Sequence, residues 1–175
     1  MSLKHVKIGD KAPEVVNAII EIPRGTLRNK YEFDKEIGAI VLDRVNNVEM
    51  AYPYDYGFVP DTLCDDGDPL DVLLIIDEPL FPGLVVPVRP IGIVRMIDDG
   101  EGDEKLICVA AKDSSKDYLT EVDQLGPEFK GRIEHFYTHL KDWKNDWKGV
   151  EVSFDGWGDA AAAREHILKT QTKSN

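Results

Sequence analysis

The first two-thirds of the chain consists of short apolar runs that alternate with turn-forming residues. This pattern predicts a series of short strands with few helices, which is typical of a barrel or a sandwich. Pro87 and Pro90 interrupt one of the runs and suit a strand edge or a bulge better than a central ladder. The predicted strands cover residues 15–22, 30–33, 39–44, 71–76, 84–94 and 105–110.

The last third of the chain changes to the spacing of amphipathic helices. Apolar residues from Leu125 to Trp143 recur at this spacing, with Pro127 near the start, and predict one helix. A second helix is predicted over residues 159–169, with Asp159 as its N-cap. Because no repeat or low-complexity linker divides the sequence, residues 1–175 are predicted to form one domain of mainly β structure with two C-terminal helices.

Three carboxylates lie within six residues in the segment D-G-D-P-L-D, at Asp66, Asp68 and Asp71. At a separation of 4 Å and an effective dielectric of 20, each like-charged pair costs about 4 kcal/mol. A hard divalent cation removes this cost, and a set of oxygen ligands without Cys or His suits Mg²⁺, Mn²⁺ or Ca²⁺. The segment is therefore either a metal site or a solvated acidic turn, since Asp-Gly and Asp-Pro are common turn dipeptides.

A second acidic turn, residues 98–104, leads into the strand that begins at Lys105. Taken alone, this turn is a surface hairpin loop, and any one cation elsewhere is more often an ion-pair partner. Together, carboxylates that hold cations and basic or phenolic groups that bind anionic oxygens are the requirements of phosphoryl transfer. The candidate anion-binding residues are Lys30, Arg44, Tyr52, Tyr56, Lys105 and Lys141.

Composition excludes several classes of partner. The chain has 33 acidic and 21 basic residues, a formal charge of −12 at pH 7, which argues against nucleic acid and anionic membranes as partners. The apolar stretches are too short to span a bilayer, and the N-terminus lacks a signal-peptide pattern. Cys64 and Cys108 fit buried thiols better than a disulfide. We therefore expect a soluble, cytoplasmic protein.

Other metal-binding motifs fit poorly. His135 and His139 have the spacing of two zinc ligands on a helix, but no Glu lies in the required position and no third ligand is near, so surface histidines are the better interpretation. The 66–71 segment also lacks the register of an EF-hand calcium loop.

Several segments, in order and at compatible spacing, resemble the soluble inorganic pyrophosphatases of family I in their compact prokaryotic form. The most specific is D-G-D-P-L-D, which matches the family signature D-[GS]-D-P-x-D, and the match covers residues 14–168. The other segments are residues 20–23, 30–32, 43–44, 52–57, 98 with 103–105, and 139–142.

This resemblance implies a closed five-stranded barrel related to the OB-fold, flanked by helices. It also implies hydrolysis of pyrophosphate to two phosphates with several Mg²⁺ ions, for which Mn²⁺ is a possible substitute, and assembly into a homo-hexamer. Candidate interface elements are the two helices and Trp143, Trp147 and Trp157, which could equally complete the core of the monomer.

The resemblance also implies a role for each site residue. Asp68 is the expected general base, and Tyr52 lies near the nucleophile. The expected metal-site residues are Asp66, Asp71 and Asp103, with Asp98 for a metal that arrives with the substrate, and Glu21 and Glu32 as support. The expected phosphate-binding residues are Lys30, Arg44, Tyr56, Lys105 and Lys141.

One position departs from the family pattern. Leu140 lies where the family usually has a tyrosine before the lysine of the helix. Tyr137, one turn earlier, could replace that phenol or could simply pack in the core. We expect weaker binding of substrate or product rather than lost activity. The alternatives to the enzyme are a non-catalytic barrel that binds a divalent cation or a phosphorylated ligand, and a phosphatase for nucleotides or sugar phosphates.

Overall fold

A computed structural model describes residues 2–144 and 151–172, which form nine strands and two α-helices. The strands are β1 (Val16–Ile22), β2 (Asn29–Asp34), β3 (Ala39–Val45), β4 (Asp55–Phe58), β5 (Asp71–Ile75), β6 (Val85–Asp98), β7 (Glu101–Gly102), β8 (Lys105–Ala110) and β9 (Val152–Asp159). The helices are α1 (Gly126–His139) and α2 (Ala160–Thr170), and short 3₁₀ turns cover Leu3–His5, Ser114–Lys116 and Val122–Leu125.

Five of the strands close into a ring in the order β1, β4, β5, β8, β6 and back to β1. All pairs in the ring are antiparallel except β5 and β8, which run parallel. The ring closes because β6 is 14 residues long: its first residues pair with β1 and its later ones with β8. Closure removes exposed strand edges. The predicted mainly β fold with a closed five-stranded ring and two C-terminal helices is confirmed.

Both faces of the central strands are buried. Val72 and Leu74 of β5 pack in one apolar cluster with Ile167 of α2, whereas Leu73 packs in a second cluster with Ile133 of α1. Strands covered on both faces have continuous apolar sequences rather than alternating ones. The two helices therefore contribute to two different apolar clusters, which together cover both faces of these strands.

The helices follow the predicted pattern with one difference in length. Phe129, Ile133, Phe136 and Tyr137 form the buried face of α1, at the spacing expected of an amphipathic helix. The helix ends at His139, before the predicted limit at Trp143. The N-cap prediction for α2 is confirmed, since Asp159 Oδ1 accepts a hydrogen bond of 2.8 Å from the Ala162 N–H.

Three strands of the sheet were not predicted, namely β4, the two-residue β7 and β9. Both β4 and β9 contain glycines that the packing requires. A Cβ on Gly57 of β4 would lie 2.0 Å from the Ile19 carbonyl oxygen, and a Cβ on Gly158 of β9 would lie 2.8 Å from Ile93 Cγ2. The predicted bulge is confirmed at Pro90, where the β6–β8 register shifts between Pro90 and Gly92, whereas Pro87 pairs with Asn17 in the β1–β6 ladder.

The aromatic residues suggested as interface elements are partly accounted for within the chain. Trp157 is half-buried, donates a hydrogen bond of 2.8 Å from Nε1 to Glu134 Oε1, and packs edge-on against Phe129. Trp143 is also half-buried. Trp147 lies outside the described residues.

Candidate active site

One cavity of about 640 Å³ lies among the five-strand ring, the β2–β3 hairpin and the C-terminal end of α1. Every site residue predicted from the sequence lines it, although these residues come from segments up to 120 positions apart. They are Glu21, Lys30, Glu32, Arg44, Tyr52, Tyr56, Asp66, Asp68, Asp71, Asp98, Asp103, Lys105 and Lys141. The roles assigned to them remain predictions.

The acidic segment before β5 is a tight turn held by its own hydrogen bonds. The Asp68 N–H donates to Asp66 Oδ1 (3.0 Å), and the Cys64 N–H donates to the Asp68 carbonyl (2.8 Å). Gly67 has a φ of +87°, a conformation that favours glycine. Fully buried Leu70 anchors the end of the turn. As a result, Asp66 and Asp68 are exposed at the cavity mouth, while Asp71 lies deeper.

Lys105 lies between two carboxylates at the cavity floor. Its Nζ is 2.6 Å from Asp71 Oδ2 and 2.8 Å from Asp103 Oδ1, and only 2% of the residue is exposed. The parallel pairing of β5 with β8 places Asp71 directly beside Lys105. Burial opposes the charge on Lys105, but the two carboxylates outweigh it and raise its pKa well above the usual value. Lys105 is therefore positively charged and bridges the Asp71 and Asp103 carboxylates.

Burial shifts the carboxyl pKa values around Lys105 upward. Burial raises the pKa of Asp71, and the neighbouring Asp103 charge adds to the shift while Lys105 opposes it. Glu21 on β1 is also buried, and burial raises its pKa from 4.5 to about 8, with Asp71 and Glu32 adding to the shift. The Phe33 N–H donates to Glu21 Oε1 (2.7 Å) and opposes the shift. A nearby cation would stabilise the ionised forms of both carboxyl groups.

The β2–β3 hairpin provides a cationic wall of the cavity. Lys30 and Arg44 are direct partners in its register, and Asp43 Oδ2 lies 3.1 Å from Lys30 Nζ and 3.3 Å from Arg44 Nη1. Lys30 also contacts Glu32 Oε2 at 2.7 Å. Burial lowers the pKa of Lys30, but Glu32 and Asp43 more than compensate, so the net shift is upward. Asp43 was not assigned a role from the sequence, although it directly precedes Arg44.

Two tyrosines supply neutral hydroxyl groups to the cavity. Burial raises the pKa of Tyr52 to about 12, and burial raises that of Tyr56 well above its usual value, with Asp71 adding to the shift. Their rings lie 6.0 Å apart between centroids. Both phenols therefore stay protonated near neutral pH and can donate hydrogen bonds to anionic oxygens.

The end of α1 completes the cavity. Lys141 Nζ contacts Asp98 Oδ2, while Asp98 Oδ1 is buried and has no hydrogen-bond partner among the described residues. Tyr137 and Leu140 also line the cavity and were considered together from the sequence. Glu104 and Cys64 line it as well, and neither was predicted as a site residue.

The donor set fits hydrated hard cations better than a closed metal cage. Eleven carboxylates and five basic side chains line the cavity, so its charge is strongly negative. Within residues 2–144 and 151–172, no three acidic, His or Cys side chains converge into a ready-made metal site. Mg²⁺ is commonly held by one or two carboxylates and keeps several waters, so this arrangement is compatible with it.

The other metal and cysteine predictions are also resolved. His139 is half-buried, with its side chain 46% exposed and its Nδ1 2.7 Å from Asp142 Oδ2, and His135 is exposed beside it, which agrees with surface histidines. Cys108 is buried and Cys64 half-buried, and both are free thiols. In the part of the chain that the structure describes, no helix is long and apolar enough to cross a membrane.

A five-strand ring whose cavity combines carboxylates with basic and phenolic groups has the chemistry expected of the hydrolases that act on phosphoryl groups. The family model for inorganic pyrophosphatase matches residues 18–175. The chain is 42% identical to the inorganic pyrophosphatase of Xanthomonas campestris, covering 100% of this chain and 98% of the relative. The crystal structure of the Thermus thermophilus inorganic pyrophosphatase aligns with a TM-score of 0.89 at 46% identity, covering 97% of each chain.

A third relative gives the same result. The inorganic pyrophosphatase structure from Coxiella burnetii has a TM-score of 0.88 at 35% identity and covers 94% of this chain and 97% of its own. The chain therefore belongs to the inorganic pyrophosphatase family, whose members are hydrolases that act on the diphosphate bond. The predicted resemblance to prokaryotic family I enzymes, and the prediction of an enzyme, are confirmed.

Proposed function

We propose that the protein hydrolyses inorganic pyrophosphate to two orthophosphates in a reaction that depends on Mg²⁺, with Mn²⁺ as a possible substitute. The observation that carries the proposal is that all thirteen acidic, basic and phenolic side chains predicted as site residues line one cavity. Its carboxylates suit hard divalent cations, and its ammonium, guanidinium and phenol groups suit phosphoryl oxygens. A small, highly charged cavity favours a small, highly charged substrate over a nucleotide or a sugar phosphate.

The carboxylates are the proposed metal-site residues. Asp66, Asp71 and Asp103 would hold the activating ions, Asp98 an ion that enters with the substrate, and Glu21 and Glu32 would support them. Bound Mg²⁺ would neutralise phosphoryl oxygens and lower the pKa of a coordinated water. The raised pKa values of Glu21 and Asp71 support this assignment, because burial disfavours their ionised forms and a bound cation would stabilise them.

The basic and phenolic groups are the proposed substrate-binding residues. Arg44 presents a planar fork to phosphate oxygens, whereas Lys30, Lys105 and Lys141 act as point charges. In the structure these lysines are engaged by carboxylates: Lys30 by Glu32 and Asp43, Lys105 by Asp71 and Asp103, and Lys141 by Asp98. Cations bound by those carboxylates would release the lysines for the substrate, and Tyr52 and Tyr56 would donate further hydrogen bonds.

Asp68 is the proposed general base. It is exposed at the cavity mouth and has no ion-pair partner among the described residues, so its carboxylate is free to accept a proton from the attacking water. Its backbone N–H and carbonyl hold the turn, which keeps the side chain in place. Asp66 and Asp71, on either side of it in the same turn, are better suited to the metal ions.

The test is phosphate release from pyrophosphate with Mg²⁺, with a chelator, and from ATP with Mg²⁺. We expect fast release from pyrophosphate alone, abolished by the chelator. Asp68→Asn should lower kcat about a hundredfold or more, the range typical of a lost general base. Asp65→Asn is the matched control, because Asp65 is the exposed neighbour that does not line the cavity. A folded protein that binds Mg²⁺ but releases no phosphate would support the non-catalytic binding module instead.

Assembly and location are proposed from the family resemblance. We propose a homo-hexamer in the cytoplasm. Sedimentation at micromolar concentration should give six times the mass of the 175-residue chain, and a monomer under the same conditions would contradict the hexamer.

A further inference from the structure

The hydroxyl of Tyr137 is a buried polar group whose hydrogen bond is missing. Tyr137 lies on the buried face of α1 and is 8% exposed. Its hydroxyl oxygen is buried and has no hydrogen-bond partner among the described residues. The residue nevertheless lines the active-site cavity. Most buried polar side-chain groups in folded proteins have a partner, and an unsatisfied one lowers stability.

Packing explains the ring of Tyr137 but not its hydroxyl group. The ring meets the Phe136 ring edge-on at 5.1 Å and faces Lys105 Nζ at 5.0 Å from its centroid. Phenylalanine would make both contacts equally well. Because the hydroxyl adds an unsatisfied group without adding a contact, its presence indicates a partner that enters the cavity.

The surroundings of this hydroxyl favour an anionic partner. Lys105 beside it is a hydrogen-bond donor with no acceptor atom, and Lys141, two residues after the end of α1, lines the same cavity. Burial raises the pKa of Tyr137 well above its usual value, so the phenol remains a neutral donor. A neutral phenol is a poor ligand for a hard cation but donates well to a charged oxygen.

We propose that the Tyr137 hydroxyl donates a hydrogen bond to a phosphoryl oxygen of the bound substrate or product, as a substrate-binding residue of this chain. The proposal rests on the pyrophosphatase function proposed above. It also explains how the cavity retains a phenolic donor at the end of α1, where neighbouring Leu140 lines the wall without a polar atom. The competing explanation is an acceptor within the protein, such as Asp71 or Asp103 after a small side-chain movement.

The test compares Tyr137→Phe with wild type and with Tyr118→Phe, a matched control at a tyrosine that is 68% exposed and outside the cavity. Three readouts are needed: thermal stability of the metal-free protein, the stabilisation by inorganic phosphate with Mg²⁺, and the KM and kcat for pyrophosphate. We expect metal-free stability to stay equal or to rise. Phosphate affinity should fall and KM rise about tenfold or more, as for a lost hydrogen bond to a charged group, with a smaller change in kcat.

Two outcomes would overturn the proposal. A loss of stability in metal-free Tyr137→Phe would mean that the hydroxyl bonds within the protein. Unchanged KM and unchanged stabilisation by phosphate would mean that it does not contact the ligand. If wild type released no phosphate from pyrophosphate, the proposed function would fail separately, and the phosphate-dependent stabilisation would still decide whether Tyr137 binds a phosphoryl oxygen.

Discussion

Glu21 should make the metal-free protein less stable as the pH rises from about 5 to 8. Glu21 on β1 is 7% exposed, and its carboxyl group accepts one hydrogen bond from the Phe33 N–H and faces the charges of Asp71 and Glu32. Burial is the largest cause of its raised pKa, about 8 in the folded chain against 4.5 for an unperturbed glutamate. Between these values the folded protein holds a proton that the unfolded chain has lost.

The sign and size of the effect follow from this difference. Stability falls with pH wherever the folded state binds more protons, by about 1.4 kcal/mol per pH unit for one group. The contribution is fully favourable below pH 4.5 and is lost as the pH rises through 8. Between pH 5.5 and 7.5, Glu21 should therefore cost about 3 kcal/mol of unfolding free energy.

The Glu21→Gln variant isolates this contribution, because its amide oxygen can still accept from the Phe33 N–H while carrying no charge. Urea unfolding in a chelator at pH 5.5 and 7.5 gives the change in stability for each protein, and effects of other carboxylates cancel in the comparison. Glu14→Gln, at an exposed position, is the matched control. Equal losses of stability in wild type and Glu21→Gln between the two pH values would refute the reasoning.

Two further predictions concern the cavity floor and the end of α1. Lys105→Met leaves Asp71 and Asp103 without their cation and should lower the unfolding free energy in a chelator by about 3–5 kcal/mol, with part of the loss recovered by Mg²⁺. Urea unfolding with and without Mg²⁺ measures both quantities. A loss of stability that Mg²⁺ leaves unchanged would contradict the prediction. Leu140→Tyr should lower the KM for pyrophosphate only slightly in wild type but about tenfold in a Tyr137→Phe background, since one phenol can replace the other. Equal effects in steady-state kinetics on the two backgrounds would show that the positions act independently.

The local sequence pattern was sufficient to predict elements whose residues favour the structure that they form. The strand at residues 105–110 was predicted with its observed bounds, and Asp159 was predicted as the N-cap of the helix that follows it. Strand β9 was missed because Gly156 and Gly158 weaken its propensity. It forms because β6 provides a pairing edge and its glycines permit the close approach of Ile93. That information lies in tertiary contacts rather than in the segment itself.

The active site also has features that the local sequence predicts and features that depend on tertiary structure. The acidic turn at residues 66–71 is a local feature, so its chemistry could be inferred from sequence spacing. The contact between Asp71 and Lys105 depends on a parallel register between strands that are 34 residues apart, and no local pattern encodes that register. The unpartnered hydroxyl of Tyr137 is invisible to sequence reasoning for the same reason, because burial and the lack of an acceptor are properties of the folded chain.

The excess of carboxylates has a consequence for the proposed reaction. With eleven acidic side chains against five basic ones, the cavity by itself repels a polyanion, and Lys105 and Lys141 are paired with Asp71, Asp103 and Asp98. If the proposed function holds, a cation bound to these carboxylates would remove the repulsion and free both lysines in the same step. Affinity for pyrophosphate would then be coupled to metal binding through shared side chains, and this coupling would be reciprocal in free energy.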